Sequence, residues 1–160
     1  MRINLLLSVF VIVLGVAAAP SVKAQGARNG PDPALLRDAE LEKDSQHNLE
    51  VARNYFRLKK AYVAALSRLE EIIEGNPNFA KIEEVLLMAG QSSLWLAENK
   101  GKQSPSKYVS YDGGEKKTLT AEQFRDKGRA YLTKLVNEFP DSNFRKQAEA
   151  ELRALDAPKP

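Results

Sequence analysis

The chain is 160 residues long, with 24 Lys and Arg against 21 Asp and Glu, one His and no cysteine. Without cysteine there is no disulfide and no thiolate for zinc or an iron–sulfur cluster, so the fold must be held by burial alone. The charges nearly balance, so no global field steers the chain toward nucleic acid.

Residues 1–24 are expected to be a secretory signal peptide. Arg2 supplies a basic start, Leu5 to Ala19 an apolar stretch broken by Ser8 and Gly15, and Val22-Lys23-Ala24 a small-x-small cleavage motif before Gln25. A membrane anchor fits less well, because the apolar run is shorter than the roughly 20 residues a span requires. Cleavage removes Arg2 and Lys23 and no acid, leaving 22 basic residues against 21 acidic ones. With no cysteine behind the signal there is no lipidation site. The expected destination is the periplasm, without a lipid anchor.

Residues 25–32 read as a flexible polar lead-in. Asp32 and Pro33 form an N-cap and first-turn pair, and a helix is expected over about 33–59. Its first half is polar and expected to be exposed. In its second half Val51, Tyr55, Leu58 and Tyr62 are spaced as one apolar stripe, with Leu49, Ala52 and Phe56 alongside. Lys59 to Ala61 marks a turn. A helix over about 62–75 buries Tyr62, Ala65, Leu66, Leu69, Ile72 and Ile73, and Gly75-Asn76-Pro77-Asn78 ends it. The next helix, about 80–97, carries Ile82, Val85, Leu86, Ala89, Ser93 and Leu96, with Ala89-Gly90 small enough to admit a neighbouring helix and Trp95 at the stripe's edge. From 99 to 119 the periodicity stops. This insertion is long for a helix–helix connection, carries no convincing strand pattern, and is expected to be removable without loss of helix. Thr120 and Gln123 form a capping box. A helix over about 121–138 comes next, burying Phe124, Gly128, Tyr131, Leu132, Leu135 and Val136. After Phe139-Pro140-Asp141-Ser142 comes a capping helix over about 142–155, and residues 157–160 are a tail.

Residues 65–77 and 128–140 repeat one pattern. Ala65 and Gly128, Leu69 and Leu132, Ile72 and Leu135, and Pro77 and Pro140 correspond. A recurring helix–turn–helix unit points to an all-α stack of antiparallel helix pairs, ending in a C-terminal capping helix and interrupted by the insertion. Such stacks make binding surfaces.

The spacing of Tyr62, Ala65, Leu69, Ile72 and Pro77, of Leu86, Ala89 and Gly90, and of Gly128, Leu132, Leu135 and Pro140 resembles the tetratricopeptide repeat, a helix pair of about 34 residues. The stretches Tyr55–Glu98 and Gly128–Leu155, which include KKAYVAALSRLEEIIEGNPNF and LVNEFPDSNFRKQAEAEL, resemble the BamD family of periplasmic lipoproteins of the outer-membrane barrel-assembly machinery. The chain departs from that family in lacking the lipidated cysteine and in having room for two repeats rather than about five. The resemblance implies an envelope scaffold whose partners are envelope proteins, the outer-membrane assembly machinery among them.

Chemistry is sparse. His47, in the polar half of the first helix, reads as a surface residue and not a general base. Glu70, Glu71, Glu74, Glu83 and Glu84 read as solvated helix faces. No phosphate-binding loop is present, and Asp112-Gly113-Gly114-Glu115 reads as a turn and not a calcium loop. No enzyme activity, cofactor or metal is expected; the competing readings are a cell-wall hydrolase and an assembly-only structural subunit. Partner contacts are assigned to Tyr108, Tyr111, Lys100, Lys102 and Lys107 of the insertion and to Tyr55. The insertion's lysines suit an acidic protein surface or anionic lipid headgroups, which adds peripheral membrane contact to the expectations. Homo-oligomerisation is a further one, because a two-repeat array is short.

Overall fold

A computed structural model describes residues 33–112 and 115–157; the expected signal peptide, the lead-in and the last three residues of the tail lie outside them. Among the described residues the chain forms five α-helices: α1 (Pro33–Arg53), α2 (Tyr62–Gly75), α3 (Ile82–Ala97), α4 (Ala121–Glu138) and α5 (Arg145–Asp156). A π-helical turn, Asn54–Lys59, continues α1. The insertion holds a 3₁₀ turn, Pro105–Lys107, and a small antiparallel hairpin of β1 (Ser110–Asp112) and β2 (Glu115–Lys117), with Tyr111 opposite Lys116. The fold is all-α apart from that hairpin, which corrects the expectation of an insertion without strands. Residues 32–160 form a compact unit of their own.

Helices α2 and α4 occupy the expected spans. Thr120 caps α4 reciprocally: the Gln123 N–H donates to Thr120 Oγ1 at 3.2 Å, and the Thr120 N–H donates to Gln123 Oε1 at 2.8 Å. Helices α3 and α5 start two and three residues later than expected, because the chain first makes a hydrogen-bonded turn. Its bonds recur at a fixed interval. The N–H groups of Asn76, Phe79, Ile82 and Val85 donate to the carbonyls of Ile72, Asn76, Phe79 and Lys81. Those of Phe139, Ser142, Arg145 and Ala148 donate to Leu135, Phe139, Ser142 and Phe144. Every atom of the second set lies 63 residues after its counterpart in the first. The α2–α3 turn and the α4–α5 turn are one structure made twice.

Each helix packs on the next in sequence order, most extensively α3 on α4. Ala65, Leu69, Leu132 and Leu135 are fully buried, and Ile72 is 1% exposed. Gly90 and Gly128 allow the α3–α4 contact. A Cβ on Gly90 would stand 2.7 Å from the Leu132 side chain, and one on Gly128 would stand 2.7 Å from Leu94 and 3.1 Å from the Gly90 carbonyl. Between α1 and α3, Arg53 grips Glu84 with two hydrogen bonds, Nε to Oε1 at 2.8 Å and Nη2 to Oε2 at 2.6 Å. That bond holds the Glu84 carboxyl below the usual carboxylate range and raises the guanidinium.

The α1 stripe differs from expectation. Ser45, Leu49 and Ala52 are buried and Phe56 packs against the core, while Leu58 is 75% exposed. The buried stripe follows i, i+4, i+7 and i+11 through Ser45, Leu49, Ala52 and Phe56, one residue out of step with the expected one, and Leu58 falls about half a turn away from it. The polar first half is largely exposed from Ala39 onward, His47 included, with Ser45 the buried exception.

The turn after the π-helical stretch places Lys60 in the left-handed region (φ 49°). Its carbonyl accepts from the Lys102 N–H at 2.9 Å. Gly101 (φ 97°) sits against it, where a Cβ would lie 2.6 Å from the Lys60 oxygen and from the Tyr62 ring, so only glycine fits.

Leu69→Ala removes a fully buried side chain from the α2 core face. It should cost about 2–5 kcal/mol in denaturant unfolding. A change of roughly half a kilocalorie or less would contradict the packing described.

Candidate partner-binding site

The end of α3, the first turns of α4 and the last turns of α5 enclose an open groove of about 310 Å³, lined by Leu94, Trp95, Glu98, Lys100, Arg125, Glu151, Ala154 and Leu155. Trp95 is held rigidly, stacked on Phe56 at 4.7 Å between ring centroids and tilted against Tyr62 at 4.6 Å. Glu151 is engaged at its back by the Gln91 side chain. Lys100 pairs with Glu98 at 2.5 Å. Arg125, half-buried, has no acidic partner among the described residues. The groove therefore presents an apolar wall beside the Arg125 guanidinium, with the Glu151 carboxylate, bonded to neutral amides only, in the same lining.

The sequence-assigned contact residues are not gathered there. Lys100 is at the groove's rim. Lys102 and Lys107 are exposed elsewhere on the insertion, and Tyr111 stands on β1. Tyr55 is half-buried with Lys59 Nζ 4.9 Å over its ring.

Tyr108 is not a solvent-facing anchor. It is 5% exposed, with its ring edge-on to the buried Phe124 at 5.3 Å. Its hydroxyl donates to Glu70 at 2.8 Å, the Tyr131 hydroxyl donates to Glu70 Oε1 at 2.8 Å, and Lys127 Nζ lies 2.8 Å from the same oxygen. Lys127 also sits 5.6 Å and 5.7 Å over the Tyr108 and Tyr131 rings. One carboxylate on α2 thus ties together α4 and the insertion. Burial pushes both tyrosine hydroxyls well above the ordinary phenol range, and the Glu70 charge and hydrogen bonds act in the same direction.

Two sequence expectations fall with this arrangement. Glu70 and Glu84 are not solvated, with side chains 13% and 15% exposed, because each is a shared acceptor between elements. Nor does the insertion lie clear of the core. Besides Tyr108 it supplies Gln103, whose Oε1 accepts the Ala64 N–H at 3.0 Å in the first turn of α2. Glu70 has a readable signal: it lies four residues after the buried Leu66, on the same helix face. Arg125, Glu151, Ala154 and Leu155 have none, since only the folded array brings them to Trp95.

Set against protein-family models, curated proteins and solved structures, the chain matches none of them. Among the described residues no cluster of three or more His, Cys, Asp or Glu could hold a metal ion, and no helix is long and apolar enough to cross a membrane.

The Glu70 cluster has two measurable consequences. Deleting residues 101–117 should lower the thermal midpoint and reduce helical circular dichroism, by stripping Gln103 and Tyr108 from the core; unchanged melting would show them dispensable. The second concerns alkali. A phenol whose pKa is raised on folding contributes stability that is intact below its unfolded value, about 10, and is lost as pH climbs beyond it. Urea midpoints should therefore hold up to about pH 9 and fall above about pH 10. The fall should be shallower in Tyr108→Phe/Tyr131→Phe, and an equal fall in that variant would place its origin elsewhere.

Proposed function

We propose that this chain is a short tetratricopeptide-like scaffold of a bacterial envelope that binds a peptide segment of a partner protein. The observation that carries this reading is the turn made twice. Four backbone hydrogen bonds recur at an interval of 63 residues, and the helix preceding each turn buries the same three positions: Ala65, Leu69 and Ile72 in α2, Gly128, Leu132 and Leu135 in α4. Without the 21 residues of the 99–119 insertion the interval is 42, one helix pair somewhat longer than a repeat of about 34 residues. The insertion lies between α3 and α4, within a helix pair, so it interrupts the repeat without altering how successive helices stack.

The compartment rests on residues 1–24 and on the resemblance of the helical stretches to the BamD family. A role beside outer-membrane assembly factors is the narrower form of the proposal. Recognition is the whole of the mechanism: the helices hold the Trp95 groove in a fixed shape, and a partner segment becomes ordered in it. The groove fits an apolar side chain next to a carboxylate. Leu94, Trp95 and Leu155 receive the first and Arg125 the second, through a charge-assisted hydrogen bond. The small contact area points to weak affinity, in the micromolar range or above.

Two experiments test this. N-terminal sequencing of the exported protein should begin at Gln25; retention of the full chain in the cytoplasm contradicts the compartment. A photo-crosslinking residue at Ala154, on the groove's open side, should capture an envelope protein in intact cells. A synthetic peptide of the captured segment should bind the purified protein, and Arg125→Glu should weaken it about tenfold or more. Affinity indifferent to both Arg125→Glu and Leu155→Asp would remove the groove from the mechanism.

A further inference from the structure

We infer that the end of the helical array formed by the π-helical turn and the start of the insertion is a docking surface for an anionic lipid bilayer, with Leu58 as the inserted side chain and Lys59, Lys60 and Lys102 as the headgroup contacts. It adjoins the Trp95 groove at Lys100 but does not depend on a ligand there.

Two chain segments distant in sequence build this surface. The π-helical turn ends at Lys59, Lys60 turns through the left-handed region, and its carbonyl receives the Lys102 N–H. Lys102 is thereby fixed beside Lys60, with Gly101 packed between them and the Tyr62 ring. Lys60 and Lys102 are exposed and have no acidic partner among the described residues. Lys59 is exposed and is held only over the Tyr55 ring. Lys100 adds a fourth ammonium, offset by Glu98. Leu58 is the most exposed large apolar side chain among the described residues, at 75% against 44% for Val109 and 42% for Leu41.

The occupant is set by the shape of this chemistry. A protein partner needs on the order of 800 Å² from each side, far more than one leucine and a few lysines at the tip of a helix hairpin supply, and Leu58 does not line the Trp95 groove. A bilayer needs no shape complement. It takes an apolar side chain at the boundary between headgroups and acyl chains, while lysines bury their aliphatic stems and keep their ammonium groups at the phosphates. Near an anionic surface each lysine contributes roughly fivefold in binding. Three uncompensated lysines with one leucine give weak, reversible and salt-sensitive attachment, suited to a protein that meets a membrane face while its groove stays free.

The test uses residues 25–160, which hold the whole compact unit, and vesicles of phosphatidylcholine with or without phosphatidylglycerol. Flotation should carry the protein with the anionic vesicles only, and added sodium chloride should release it. Lys59→Glu/Lys102→Glu should weaken that binding about tenfold or more while its circular dichroism stays unchanged, both residues being exposed. The chain has no cysteine, so Leu58→Cys can carry a single environment-sensitive fluorophore. Its emission should shift to the blue on anionic vesicles, and the same label at Lys146→Cys, at the start of α5 and the opposite end of the array, should not respond. Failure to float with anionic vesicles, binding that survives the double charge reversal, or a label at position 58 that stays in water would each overturn the proposal.

Discussion

Where α3 crosses α4, neither helix has a side chain at the point of contact. Gly90 and Gly128 face each other's backbone, and Leu94 and Leu132 fill the room a Cβ would need, standing 2.7 Å from where it would be. That approach sets most of the remaining geometry of the array. It fixes the distance at which α5, lying on α4, can also reach α3, so that Gln91 meets Glu151 and a groove opens beside Trp95. It also brings Lys127 and Tyr131 of α4 to Glu70 of α2. An added methyl group at either glycine would spread α3 from α4 and disturb groove and cluster together.

Glu70 plays a different part. Its carboxylate lies among two phenols and an ammonium and is almost removed from water. A buried charge of this kind is costly unless every partner is present, which makes the cluster an all-or-none device. The insertion docks with Tyr108 in place, or a sequestered carboxylate is left short of a donor. A segment with little secondary structure of its own is thus given one position by hydrogen bonds and one aromatic contact, and its remaining length is free to form the exposed hairpin.

The helices are legible in the sequence because their information is local. The apolar stripe of residues 62–75 and the Thr120–Gln123 cap appear where expected, and the small pair Ala89-Gly90 signals the close approach that the structure shows. The features hidden from a sequence reading depend on distance along the chain or on which of two adjacent stripes is buried. A stripe counted from Val51 puts Leu58 in the core, but the buried stripe is the one counted from Leu49, Ala52 and Phe56, which leaves Leu58 on the far side. Tyr108 looks like a surface anchor because its loop has no periodicity, but its burial is decided by Glu70 and Phe124, 38 and 16 positions away. The Trp95 groove draws on three helices, and only the folded array brings Arg125 into it.

The 63-residue correspondence also reaches beyond the turn. Carried one step further, it maps α3 onto α5 and sets Glu149 where Leu86 lies and Arg153 where Gly90 lies. The two α5 residues keep 33% and 72% of their side-chain surfaces in water. The site that would let another helix nestle against the array is occupied by a long charged side chain instead of a bare backbone. Helix α5 is therefore built to the same plan as α3, but the face that α3 turns to its neighbour through a bare backbone is in α5 a charged and hydrated one.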